Sequence, residues 1–333
     1  MSKSWMRVGW VAVVATVFVG GSPGQEATFK LPAMGGFAVS PDGATLVVSL
    51  TAKTELVYFD TVAGKETKRV AVEFQPTQMA WGDKVLFVAQ KASGVVHVLD
   101  TNTGKELATG NASGPVSNLI VVKGLCFAST TTRQVTAIDA QGTSTKTDAQ
   151  GTFLAADPKG AFLCTVIDGK ATTDITKYTI NGTKLVRGET FRSLRASLIN
   201  VKGVQITADG KAFGVVAGGG WADMDRKKHY SIPLYSTADM KSQLGELETG
   251  PYPSGFAVHP DLPLLFACTG KEGSVFNAKS YVPVEKFAAP LANAGAAPPS
   301  VLAFVANGRK LAYGTSSGTN GVLTFYDLKL PSK

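Results

Sequence analysis

The residues of this chain best equipped for chemistry gather in one stretch. Arg187, Arg192, Arg195 and Lys202 lead into it, and Trp221, Asp223, Asp225, Arg226, Lys227, Lys228, His229 and Tyr230 fill its far end. Guanidinium and ammonium groups interleaved with aromatic rings make a cationic pocket with apolar walls, suited to a phosphate, a carboxylate or an anionic polymer. The plainer alternative is solvated loop charge around a Trp that packs against its scaffold. Charge runs commonly solvate loops, which favours that alternative. The ligand-binding candidates are therefore Arg192, Arg195, Trp221, Arg226, Lys227, Lys228, His229 and Tyr230.

Other chemistries find little support. His97, His229 and His259 share no metal-ligand spacing, and Asp223 and Asp225 form a single D-x-D pair, well short of a calcium loop. Structural or solvent roles are expected for the histidines. No G-x-S-x-G or H-E-x-x-H occurs, so nucleophilic and zinc-hydrolase catalysis have no local motif. Gly218-Gly219-Gly220 lacks the helix and Lys of a phosphate loop and reads as a strand exit at positive φ. Cys126, Cys164 and Cys268 sit among Leu, Phe and Ala as buried thiols, with a Cys126–Cys164 bridge as the alternative. Asn111-Ala-Ser113 and Asn181-Gly-Thr183 match glycosylation acceptors. No catalytic residue, metal or cofactor is expected.

The elements that must position these residues can be read from composition and repetition. The chain has 333 residues with 44% apolar, 17% charged, 36 Gly, 16 Pro and a formal charge of +8. That excludes a disordered tail, a collagen-like rod and a cysteine-stapled miniprotein. Lys3 and Arg7 precede an apolar run from Val8 to Val19, and small residues follow at Gly20, Gly21, Ser22 and Gly24. This is the pattern of a secretory signal peptide over residues 1–24, with an uncleaved membrane anchor as the alternative. The run is short of the roughly 20 apolar residues of a membrane span, and the mature chain shows no second candidate. Loss of Lys3 and Arg7 lowers the charge to +6.

From residue 25 onward one unit recurs seven times. The first copy reads Phe37-Ala-Val-Ser-Pro-Asp-Gly43, then Leu46-Val-Val48, then Leu56-Val-Tyr-Phe-Asp60. The closing positions Asp60, Asp100, Asp139 and Asn181 are 40, 39 and 42 residues apart. Later units open at Val204-Gln-Ile206, Phe256-Ala-Val258 and Val301-Leu-Ala-Phe304. Turns recur in step, as Ser40-Pro-Asp-Gly43, Asp157-Pro-Lys-Gly160, Ala208-Asp-Gly210 and Ala306-Asn-Gly308. Short strands at this period make the blades of an all-β, seven-bladed β-propeller, a single domain over residues 25–333. The seventh unit stops one strand short at Val322-Leu-Thr-Phe-Tyr-Asp327, and Ala27-Thr-Phe-Lys-Leu31 is a strand without a blade. The segment at about 26–31 is expected to complete the last blade and close the ring. Phe191 to Leu198 is the one stretch with a helical turn's spacing.

The Ser-Pro-Asp-Gly turns and the segment Leu-Asp-Thr-Asn-Thr-Gly-Lys at 99–105 resemble the YVTN-type, WD40-like repeats of secreted bacterial seven-bladed propellers. The resemblance covers residues 26–330. It implies that inter-blade connectors, and those between second and third strands, emerge together on one face. The long connectors 187–202, 218–230 and 288–299 all belong to that class, and such loops are where binding usually resides. The expectation is a secreted or periplasmic, monomeric, non-catalytic scaffold whose blade-five loops bind a protein, peptide or glycan. The alternatives are a lactonase- or lyase-like enzyme at the central tunnel, and a binder of an anionic polymer. Opening strands rich in Ala, Val, Leu and Phe count against the enzyme, and a charge of only +6 counts against nucleic acid.

Overall fold

A computed structural model describes residues 25–168, 172–193, 201–217, 221–222, 228–269, 272–288 and 299–328. Residues 1–24, where a signal peptide is expected, the triplet Gly218–Gly220 and most of the three long connectors taken together lie outside the described residues. What is described is all β: seven four-stranded antiparallel sheets arranged as a seven-bladed propeller, with no helix among the described residues. Six blades follow the chain simply, over residues 34–71, 76–111, 116–150, 153–193, 201–248 and 255–288.

The seventh blade takes three strands from 301–327 and its outer strand from Gln25–Pro32, which pairs antiparallel with Asn320–Asp327. The first strand and the last thus close the ring, as expected for the segment at about 26–31. Phe29 brings the closing strand into the core, its ring edge-on to Phe59 of blade one at 4.9 Å and to Phe325 of blade seven at 6.1 Å.

The core is divided rather than central. Among the described residues it forms seven apolar clusters, each shared by two adjacent blades. Each sheet is therefore covered on both faces. This explains why middle strands such as Ala212–Ala217 are buried at every position instead of alternating. It also accounts for the low charge of the chain, since two faces of every blade must be apolar.

The recurring acids are turn caps. Asp100 Oδ1 accepts the backbone N–H groups of Asn102 and Thr103 and the Thr103 hydroxyl, and Asp139 Oδ1 accepts those of Gln141 and Thr143. A side chain that satisfies its own following turn is the reason Asp recurs at third-strand ends, with Ser236 and Asn277 accepting turn N–H groups at the same place in blades five and six.

Turns of neighbouring blades also interlock. Gly43 C=O accepts Ala306 N–H at 2.8 Å and the Thr61 hydroxyl at 2.7 Å. Lysines reach across blades to backbone carbonyls, Lys310 to Val62 and Lys177 to Thr237 at 2.8 Å each, and Lys68 to Asn102. We call this side the turn face and the opposite side the loop face.

One expectation fails in part. Residues 187–193 are not connector, because the outer strand of blade four runs Lys184–Ser193 in register with Thr173–Asn181, pairing Thr173 with Ser193. Phe191 packs inward, 5.0 Å from the Tyr235 ring, while Arg192 beside it is exposed, as alternate residues of a strand are; residues 194–198, the rest of the stretch with a helical turn's spacing, lie outside the described residues. Lys202 likewise belongs to the inner strand Val201–Ile206 of blade five.

Candidate functional site

On the loop face the structure locates some of the candidates. Arg195, Arg226 and Lys227, with Asp223 and Asp225, lie outside the described residues. Trp221 and Lys228–His229 lie on a two-stranded ribbon inside blade five, with backbone pairs Trp221↔His229 and Ala222↔Lys228. Arg192 stands on the outer edge of blade four in a forked pair with Asp174, at 2.6 and 2.7 Å. The shared hydrogen bonds lower the Asp174 pKa and raise that of Arg192. This guanidinium already has its carboxylate.

Tyr230 does meet a partner, which sequence reading missed. Its ring lies 5.9 Å from that of Tyr252, in the connector between blades five and six. Tyr252 is 54% exposed and holds a left-handed backbone at φ +60°. For an aromatic residue that conformation is uncommon and carries strain. Prolines on either side, Pro251 and Pro253, restrict the backbone around it. The Pro-Tyr-Pro triplet was the available signal. Lys202 joins the same connector, its Nζ donating to the Pro253 carbonyl at 3.1 Å, and burial lowers its pKa. Close by, Asp168 Oδ2 accepts the Val201 N–H at 3.0 Å. The described part of this face thus offers an exposed Tyr252 against a part-buried Tyr230, on a connector that also accepts a partly desolvated ammonium at Pro253. Such a set makes contacts; it does not assemble a nucleophile and its base.

The remaining histidines are accounted for by packing. His97 stacks on Phe74 at 3.5 Å with Nδ1 against Glu106 at 2.5 Å. His259 Nδ1 accepts Asp261 N–H at 3.0 Å and Leu262 N–H at 2.9 Å, so an imidazole caps the turn that Ser40 caps in blade one. All three cysteines are buried and free. Burial raises the Cys164 and Cys268 pKa values to about 12, and that of Cys126 further still. Among the described residues no group of three or more His, Cys, Asp or Glu could hold a metal ion.

The turn face carries a cavity of about 320 Å³ at the mouth of the central channel. Blades one, five, six and seven line it with Phe37, Val39, Gln205, Val258, Leu302 and Phe304, and Asp42 and Asp261 are its acidic members. The mouth is apolar with an acidic border. It lies on the face opposite the long connectors.

Comparison with known proteins separates fold from family. No family model matches the chain, and no curated protein matches it. Among solved structures it is similar to a chain of the Kuenenia stuttgartiensis hydrazine synthase, with 16% identity, a TM-score of 0.69, and coverage of 94% of this chain and 100% of that one. It is also similar to a chain of a mitotic checkpoint complex, with 13% identity, a TM-score of 0.70, and coverage of 98% and 99%. The likeness is one of fold alone. Two such different assemblies use this ring, so function must be argued from its faces.

Proposed function

We propose that this protein is an exported, non-catalytic propeller of the YVTN-like type that binds a protein, peptide or glycan partner on its loop face. The reading is carried by Tyr252, an exposed aromatic held at φ +60° beside Tyr230. Rigid aromatics that project from a fixed scaffold are the residues that dominate binding energy, because they bury large area at low entropy cost. The apolar walls of the channel favour this reading over a lactonase- or lyase-like one. Export rests on the sequence pattern of residues 1–24.

The mature chain, screened against immobilised glycans and peptides, should bind through this face. Tyr252→Ala should weaken the selected ligand by about tenfold or more, the effect of a binding hot spot. Equal affinity of the two proteins refutes the assignment of the face. For export, the full-length chain should be recovered outside the cytoplasm, and a version with Val11→Arg and Val14→Arg in the apolar run should stay inside. Recovery of the unaltered chain in the cytoplasm refutes it.

A further inference from the structure

The acidic cavity on the turn face is not used by that function. Its walls are apolar, and its lining residues include Asp42 and Asp261 but no Lys or Arg. On a chain with a net charge of +8, a mouth whose only charged lining residues are the acids Asp42 and Asp261 runs against the overall balance. The Asp42 carboxylate is held in place by its own turn, and Asp261 is tied to its turn through the backbone. Asp42 Oδ1 accepts the Ser40 hydroxyl and Ala44 N–H, while the N–H of Asp261 is fixed by His259 Nδ1. The Ser40 and Ala44 hydrogen bonds lower the Asp42 pKa, so that carboxylate is charged at neutral pH. Gln205 extends into the same space as an exposed polar group.

Size and charge define the occupant. An engineered apolar cavity of about 150 Å³ holds benzene. One of about 320 Å³ has room for an aryl group and a short charged chain. We propose that the turn-face mouth binds a small organic ammonium ion with an apolar body, its hydrocarbon part against Phe37, Val39, Val258 and Phe304 and its charge toward Asp42 and Asp261. Phe37 and Phe304 are among the lining residues, and aromatic rings attract a cation that reaches their faces. Walls contributed by four blades, fixed by the ring, mean that the site is formed before the ligand arrives.

The test is isothermal titration of the mature chain with 2-phenylethylammonium, 2-phenylethanol and 3-phenylpropanoate. These share an aryl body and differ in charge. The ammonium should bind about tenfold or more tightly than the alcohol, with the carboxylate weakest. Replacing both Asp42→Asn and Asp261→Asn should reduce the ammonium to the affinity of the alcohol, since an asparagine amide oxygen at position 42 can still accept the turn's hydrogen bonds. Gln205→Trp, at an exposed position that leaves folding intact, should obstruct the mouth and weaken the ammonium about tenfold or more. No binding of any probe, equal binding of all three, or unchanged affinity in Gln205→Trp overturns the proposal.

Discussion

Gly308 offers the most direct test of how the blades interlock. It lies in the turn between the first two strands of blade seven at φ +80°, and a Cβ added there would sit 2.0 Å from His259 Nε2 and 2.2 Å from Cε1. Two costs follow for Gly308→Ala. The left-handed conformation costs an L-residue about 1–2 kcal/mol. The clash adds about 1–3 kcal/mol, because the struck ring is only 2% exposed and its Nδ1 is fixed by two backbone N–H groups. Gly124 separates the two terms, having the same φ of +80° with nothing within 4 Å of its added Cβ. Gly124→Ala should therefore cost about 1–2 kcal/mol and Gly308→Ala about 2–5 kcal/mol. The assay is urea unfolding followed by far-UV circular dichroism. At about 2.1 cal/mol/K of unfolding entropy per residue over a ring of this size, each kcal/mol should lower Tm by about 1.5–2 °C. Serine is the native solution at the matching position of blade one, where Ser40 Oγ accepts Thr45 N–H at 2.9 Å. His259→Ser combined with Gly308→Ala should then cost less than the sum of the single changes by about 1 kcal/mol or more. Equal losses for Gly124→Ala and Gly308→Ala, or an additive double variant, would refute the reasoning.

Removing the Phe29 ring from the closing strand should cost about 2 kcal/mol, since it sits half-buried between Phe59 and Phe325; an unchanged urea midpoint for Phe29→Ala contradicts the closure. The buried thiols should resist Ellman's reagent at pH 8 in the folded chain and react in denaturant, and rapid labelling of the folded protein would show them to be accessible. Burial raises Cys164, Cys268 and Tyr58 to about 12, above their unfolded values near 9 and 10, so these groups favour folding at neutral pH and that contribution is lost as pH rises. Stability should hold to about pH 9 and decline toward pH 12, by about 1.4 kcal/mol per pH unit for each group ionised only when unfolded; a flat alkaline profile contradicts this.

The ring was legible because its signals are local and repeat. A turn such as Ser40-Pro-Asp-Gly43, or a cap such as Asp100, is specified within a few residues and needs no knowledge of its neighbours. The closing strand could be inferred because one blade lacked a strand and one strand lacked a blade. The candidate site was less legible. Arg192 was read as a pocket cation because its partner Asp174, 18 residues away, becomes adjacent only once two strands find their register. Tyr252 was missed for the converse reason. Its exposure and its neighbour Tyr230 follow from packing between blades five and six, and only the flanking prolines hinted at a constrained backbone. The acidic mouth draws on four blades, and no window of sequence contains it.

The two faces of the ring are built under opposite constraints, which decides what each can recognise. On the turn face, Gly43 bonds to Ala306, Lys310 reaches Val62, Lys177 reaches Thr237, and Gly308 lies against His259. An insertion in any of these turns breaks a contact with the adjacent blade as well as its own hairpin, so their lengths are held short. A face of short, interlocked turns cannot wrap a large partner. It can present only the channel mouth, whose shape is set by the ring. The connectors on the loop face carry no such obligation at residues like Tyr252, which projects from its connector toward solvent. Length and variety can accumulate there without loosening the blades. This physical division suits the loop face to the proposed large partner and the turn face to the proposed small ligand, and it makes the two proposals separable. Tyr252→Ala should leave 2-phenylethylammonium binding unchanged, and Gln205→Trp should leave the loop-face partner's affinity unchanged. Loss of both by either substitution would mean that the faces are coupled through the channel.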